Sequence, residues 1–316
     1  MVEPDSGEKN DLESAILLAL AKTRSGAMPF PAHFSGLTFD NAEAGKRTLR
    51  LPAQPQVLRA SGEFAAMAIL MACDLSLSSA IRLRVGKEVR LPTVSLQIDY
   101  SAKPMSNEML LLSSTLQSQI GDLVTAECEI RAQSGERVGR GLGRFLLTAR
   151  QPGEGFSRFP WETGSPIALN PSELTPAEHE IYSFLLRKDL KVKERRLYDQ
   201  IYRVAATSCG EAGTTQLRQP LGPHLANRSG IVQGGAIAGL LSDACEAAAR
   251  ETDASLAIWS TSCTFLRPAT LGSRHLTANA RVLFIGRRIT CASAEATDDH
   301  GNLLARAEAL LVPQAA

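Results

Sequence analysis

The stretch Asn227-Arg228-Ser229-Gly230-Ile231-Val232-Gln233-Gly234-Gly235-Ala236-Ile237-Ala238-Gly239-Leu240-Leu241-Ser242-Asp243 changes character halfway along. Its opening Asn-Arg-Ser-Gly is turn-forming. From Gly234 to about Glu251 the pattern is that of a helix too apolar to face water, so it must lie in a core. A glycine pair at a helix start leaves the first backbone N–H groups unpaired and uncovered by side chains. A carboxylate, Asp243, follows two turns later.

A second helix of this kind, about Glu63 to Leu83, carries a carboxylate at Asp74. Around both helices the same order of elements recurs. Each half opens with an amphipathic helix (about Leu12 to Lys22 and about Ala177 to Leu190) and an extended pair, and ends in three strands. Subtracting landmarks gives 165 for Tyr100 against Phe265, 165 for Gly121 against Gly286, and 166 for Gly135 against Gly301. Matching Asp74 to Asp243 gives 169 for the helices. On that alignment Leu58, Phe64, Ala65 and Ala66 stand opposite Asn227, Gln233, Gly234 and Gly235.

Between the halves, residues 151–175 are rich in Pro, Gly and Ser and read as a linker. They end in Thr175-Pro176-Ala177-Glu178, a capping-box signature for a helix start. The expected organisation is therefore an N-terminal domain over 1–150, the linker, and a C-terminal domain over 176–316. The fold class is α+β, in which each half wraps an antiparallel sheet around one long buried helix. The two sheets could join edge to edge or face to face, forming an internal pseudo-dimer.

Composition excludes several classes. The 34 basic and 33 acidic side chains give a formal charge of +1, so no bulk field exists to hold nucleic acid or an anionic membrane. Six cysteines, at 73, 128, 209, 245, 263 and 291, show no CxxC or Cys/His spacing. They read as reduced core thiols, without a metal site or a disulfide framework. The acidic N-terminus lacks the basic start of an export signal, and Asp74, Ser76, Ser78 and Ser79 interrupt the apolar run that might otherwise span a bilayer. A cytoplasmic location without membrane attachment is expected.

The segment Asn227 to Asp243, followed by Phe265-Leu266-Arg267-Pro268 and Gly286-Arg287-Arg288, resembles the hotdog-fold acyl-CoA thioesterases of the phenylacetyl-CoA thioesterase-like branch. The resemblance covers about 200 to 313 well and the first half more weakly, through TVSLQIDYSAKP and its helix. It implies two hotdog domains in tandem. Three departures stand out: Gln233 replaces the family's His, Ser242 rather than Asp243 occupies the usual place of the acid, and the first half lacks the Gly-Gly turn.

In that family the glycine turn comes from one subunit and the acid and hydroxyl from the other, so the resemblance implies sites between the two halves. One site would combine Asn227, Gln233, Gly234 and Gly235 with Asp74 as base or nucleophile and Thr93 as the hydroxyl that positions water. The backbone at Gly234 and Gly235 would stabilise the oxyanion, with Asn227 and Gln233 bonding the substrate carbonyl or the water. The reverse site would use Asp243 with the turn at Phe64 to Ala66. It has Ile258 in the hydroxyl position and Glu63 beside the helix start, so it should be vestigial. Arg267, Arg287 and Arg288 are candidate ligands for the phosphates of coenzyme A, and His224 is a minor substitute for the missing imidazole. The implied reaction is hydrolysis of an acyl-CoA without metal or other cofactor. The rival is an acyl-CoA binding module that does not cleave its ligand; a hydratase would need an Asp–His pairing that the sequence lacks. Further pairing of exposed sheets into a homo-oligomer of pseudo-dimers fits this architecture.

Overall fold

The computed structural model describes residues 6–26, 28–40, 46–86, 88–102, 108–149, 165–187, 197–202, 204–208 and 211–314. The helices among them are α1 (Ser6–Arg24), α2 (Phe30–Phe34), α3 (Ala66–Val85), α4 (Pro176–Leu185), α5 (Leu197–Tyr202) and α6 (Gly234–Arg250). The first half contributes strands β1 (Thr38–Phe39), β2 (Lys46–Leu51), β3 (Val89–Arg90), β4 (Thr93–Tyr100), β5 (Leu110–Ile120), β6 (Leu123–Ala132), β7 (Arg137–Leu146) and β8 (Thr148–Ala149). The second contributes β9 (Ala205–Ser208), β10 (Thr214–Pro220), β11 (Leu256–Phe265), β12 (His275–Ile285), β13 (Thr290–Thr297) and β14 (Leu303–Pro313).

Twelve strands form one sheet in the order β1-β2-β5-β6-β7-β4-β11-β14-β13-β12-β10-β9. The order reads as a palindrome about the β4–β11 pair, so the halves join edge to edge. That seam is antiparallel, running from Ser260 opposite Asp99 to Thr264 opposite Ser95. Strand pairing at the seam removes the two edges that separate half-sheets would leave open.

The sheet curls over α3 and α6, which pack against each other at the centre of the core. Met67 to Cys73 of α3 and Ala236 to Leu241 of α6 are buried, Gly239 included. The close crossing depends on glycine. A Cβ on Gly235 would lie 2.5 Å from Leu70 O and Met71 Cα, and one on Gly239 would lie 2.3 Å from Met67 Cα. The helix α3 is long and apolar enough to cross a bilayer by composition, yet most of it is enclosed by protein. Cys73, Cys128, Cys245 and Cys263 are buried thiols and Cys291 is half-buried, while Cys209 lies outside the described residues.

The expected capping box at Thr175 is present: its hydroxyl accepts from Glu178 N, and the Glu178 carboxylate accepts from Thr175 N. The helix ends at Leu185, earlier than expected. Most of the Pro/Gly/Ser stretch, residues 151–164, lies outside the described residues.

Strand landmarks hold at 165: a β-bulge falls between Thr93 and Ser95 in β4 and between Ile258 and Ser260 in β11. The helices correct the expected 169 to 168. Pro55–Val57 and Pro223–Leu225 are matching single 3-10 turns, and the bridges Leu58–Phe64 and Ala226–Val232 correspond. Gly62 and Gly230 both take positive φ, and α3 and α6 start at Ala66 and Gly234. Every one of these pairs is 168 apart. The counterparts of Asn227, Gln233, Gly234 and Gly235 are therefore Arg59, Ala65, Ala66 and Met67, and Ser242 is the counterpart of Asp74.

Candidate active site

Asp74 projects from the middle of α3, between the sheet and α6, with 7% of its surface exposed. Thr93 opens β4 at the bulge, and its hydroxyl donates to Asp74 Oδ1 at 2.9 Å. The start of α6 meets them from the other half. The Gly235 N–H donates to the Asp74 carboxylate. A Cβ on Gly234 would lie 3.4 Å from Thr93 Oγ1, 3.5 Å from Asp74 Oδ2 and 3.5 Å from Phe265 Cζ. The missing side chain thus leaves a gap bounded by a carboxylate oxygen, a hydroxyl, an aromatic ring and a helix start.

Burial pushes the Asp74 carboxyl up from 3.8 to about 6, against the opposing pull of the Thr93 hydroxyl and the Gly235 N–H. Such a group is ionised at neutral pH while remaining a competent proton acceptor. Gln233 is the N-cap residue of α6, but its side chain makes no capping bond. It is buried, and its Oε1 has no hydrogen-bond partner. A buried amide left free in this way costs stability unless a ligand or water satisfies it.

Other expected residues fall elsewhere. Asn227 Oδ1 accepts from Ser229 N at 2.9 Å and Ile231 N at 3.2 Å, which makes it the organiser of the turn leading to α6. The oxygen is thus spent on its own loop, as a short Asx side chain favours. Gly235 is also split in role: its N–H reaches Asp74, but its bare Cα is spent on the α3 crossing. Asp243 is ion-paired to Arg59, which also binds Glu246 Oε2 at 2.6 Å. It is one residue, hence about 100°, around the helix from Ser242, the counterpart of Asp74. His224 is buried, stacked on Phe184 at 4.1 Å, and held by burial down to about 3, so it cannot replace an imidazole base at this site.

The arginines divide. Arg267 lies just past Phe265 and donates to Leu303 O at 2.8 Å. Arg287 and Arg288 sit on the β12–β13 turn, which is at the opposite end of the sheet from Gly234. The register makes this plain: Phe265 is level with Ala305, Ala296 and Ala278, and Ile285 is seven residues farther along β12, about 23 Å away. Neither arginine therefore touches the Asp74–Gly234 gap itself. Sequence reasoning overlooked Arg228, a neighbour of Asn227. It lies at the surface, its guanidinium lowered to about 10 by partial desolvation and by Arg82; the half-buried His33 nearby is held down to about 4 by burial first, with Lys22 and Arg228 adding to the shift. Positive charge therefore gathers beside the loop that leads into α6; the Arg next to a turn-forming Asn was the available signal.

Solved structures with this architecture are hotdog proteins. The tesB protein of Mycobacterium avium subs paratuberculosis matches at a TM-score of 0.57 and 11% identity, over 88% of this chain and 96% of that one. An acyl-CoA thioesterase II, TesB2, from Mycobacterium marinum matches at 0.51 and 14%, over 88% and 96%. A 12:0-ACP thioesterase from Umbellularia californica matches at 0.54 and 9%, over 86% and 95%. The chain is a double-hotdog protein. Within it, residues 229–305 match the family model described as thioesterase superfamily, so the second hotdog is the one whose sequence carries that signature. No curated protein sequence matches the double hotdog.

Proposed function

We propose that this protein hydrolyses acyl thioesters, with acyl-CoA as the substrate class, at the site shared by Asp74, Thr93, Gln233 and Gly234. One observation carries the reading: a buried carboxylate bonded by a hydroxyl of its own half faces the glycine-opened helix start of the other half. The thioesterase signature falls on the half that supplies that helix start.

The thioester carbonyl enters the gap over Gly234, where the positive end of α6 favours the developing oxyanion. The Gln233 amide donates to the carbonyl oxygen. Thr93 holds one oxygen of Asp74, leaving Oδ2 at the gap to accept a proton from water as that water attacks the carbonyl carbon. Collapse of the tetrahedral intermediate breaks the C–S bond, and Asp74 returns the proton to the departing sulfur, giving free acid and free thiol. This scheme uses neither metal nor redox cofactor. The cations at Arg228, Arg82 and Lys22 suit the phosphates of a pantetheine carrier.

The test is free-thiol release from short, medium, long and aromatic acyl-CoAs and from an acyl-ACP, with wild type beside Asp74→Asn. Loss of turnover by about 100-fold or more in a folded variant is expected. Turnover on the acyl-ACP alone would replace CoA as the carrier. A second reading, binding without cleavage, is favoured by the Gln233 replacement, because an amide cannot act as a base; tight acyl-CoA binding with no thiol release would establish it.

A further inference from the structure

A cavity of about 330 Å³ lies at the reverse crossing, where the start of α3 meets α6 and the seam strand β11, and its walls include Arg59, Phe64, Tyr100, Ser242, Ile258 and Trp259. It is built from the counterparts of the Asp74 site, with each chemical element replaced. Ala66 stands for Gly234, Ser242 for Asp74, Ile258 for Thr93, and Arg59 for Asn227. Ser242 is tied to Thr261 through their hydroxyls at 3.1 Å, and Asp243 and Glu246 are taken by Arg59. The carboxylates of α6 are thereby engaged, and Glu63 on the cavity wall opposes a developing oxyanion.

The binding features are nonetheless present. The volume suits an acyl or pantetheine arm, and the wall mixes apolar side chains with a few polar groups. Arg287 and Arg288 belong to this end of the sheet. Thr290 is level with Leu311 and the Gly286 N–H donates to Ile289 O at 2.9 Å, so Arg287 and Arg288 form the tip of the β12–β13 turn at the end of the sheet where β14 carries the cavity residues Val312 and Gln314. Both arginines are exposed, and among the described residues neither has an ion pair. An apolar cleft with two free guanidinium groups at its rim fits a phosphorylated ligand with an acyl-thioester arm.

We propose that the reverse crossing is a second, non-catalytic site that binds the same class of ligand, an acyl-CoA, without cleaving it. The test titrates the full chain with the thioether S-octyl-CoA, which has no thioester to hydrolyse, and reads stoichiometry by calorimetry. Two ligands per chain are expected for wild type and for Asp74→Asn. One is expected, through a loss of at least 10-fold in affinity at one site, for the double variant Arg287→Glu/Arg288→Glu and for Ala257→Trp, which fills the cavity. A single wild-type ligand that both blocking variants retain, or two ligands retained by both, overturns the proposal; a single ligand lost in both locates it at the reverse crossing. The surface double variant keeps the test valid if Ala257→Trp does not fold. Because stoichiometry is read without turnover, failure here is distinct from failure of the hydrolase reading, which shows as absent thiol release.

Discussion

Ser242 stands in the second half where Asp74 stands in the first: each is eight residues into its helix from the first helical residue, and each bonds a Thr hydroxyl nineteen residues later, Thr261 and Thr93 respectively. A hydroxyl in place of a carboxylate removes the proton acceptor. The pseudo-symmetric fold is thereby left with chemically unequal sites, and the neighbouring Asp243 is diverted to a structural ion pair with Arg59.

Asp74 should show itself first in pH dependence. Its folded pKa lies above its usual value, so ionising it costs the folded protein stability; the cost is full above about pH 6 and disappears as pH falls toward 3.8. The shift corresponds to about 3 kcal/mol. Asp74→Asn should therefore unfold later than wild type in denaturant at pH 7, with the advantage shrinking between pH 6 and 4, while wild-type turnover rises with pH to a plateau above about 6. An Asn variant less stable than wild type at pH 7 would contradict this assignment.

Thr93 is separable from the fold. Thr93→Ser keeps the hydroxyl that donates to Asp74 Oδ1 and should keep most activity, whereas Thr93→Val should lower kcat by about 10- to 100-fold. It should also raise the pKa in the kcat profile, because a bond to the charged form has been removed. Equal kinetics for the two variants would take Thr93 out of the mechanism.

The two adjacent glycines should fail differently. Gly234→Ala places a methyl group in ordinary contact with Asp74 and Thr93, so it should fold normally and lose activity through the filled gap. Gly235→Ala drives a methyl group into the α3 backbone at 2.5 Å and should cost stability on the order of 1–3 kcal/mol or more. Thermal unfolding beside turnover distinguishes the two patterns.

Asp243→Asn should act on stability. It leaves Arg59, three quarters buried by its side chain, paired only to Glu246, at a cost on the order of 2 kcal/mol. A collapse of turnover in folded Asp243→Asn, with Asp74→Asn still active, would assign the halves the other way round.

Much of the fold was legible because hydrophobic period and turn chemistry are local. The Thr175 capping box, the two buried helices and the strand repeats at 165 all follow from neighbours in sequence. The pairing of Asp74 and Thr93 with Gly234 was also within reach, since the resemblance to the hotdog family implied that each helix start faces the other half. The helix offset was not. Asp74 and Asp243 invite a match at 169, and only backbone features such as the positive φ of Gly62 and Gly230 show that the chain keeps 168. A one-residue error rotates a helical side chain by about 100° and exchanges a site residue for an ion-pair partner.

By itself, the sequence determined that this protein has two similar α+β halves, each built on an apolar helix that must be enclosed, and which residue types could perform hydrolysis. The tertiary structure decided which of them meet. Joining β4 to β11 brings the start of α6 to Asp74 and carries Arg287 and Arg288 to the far end of the sheet. The physical reason is that side-chain chemistry is a property of single residues, whereas proximity across a seam depends on strand register and on how closely two helices can cross, which are set by the packing of the whole core.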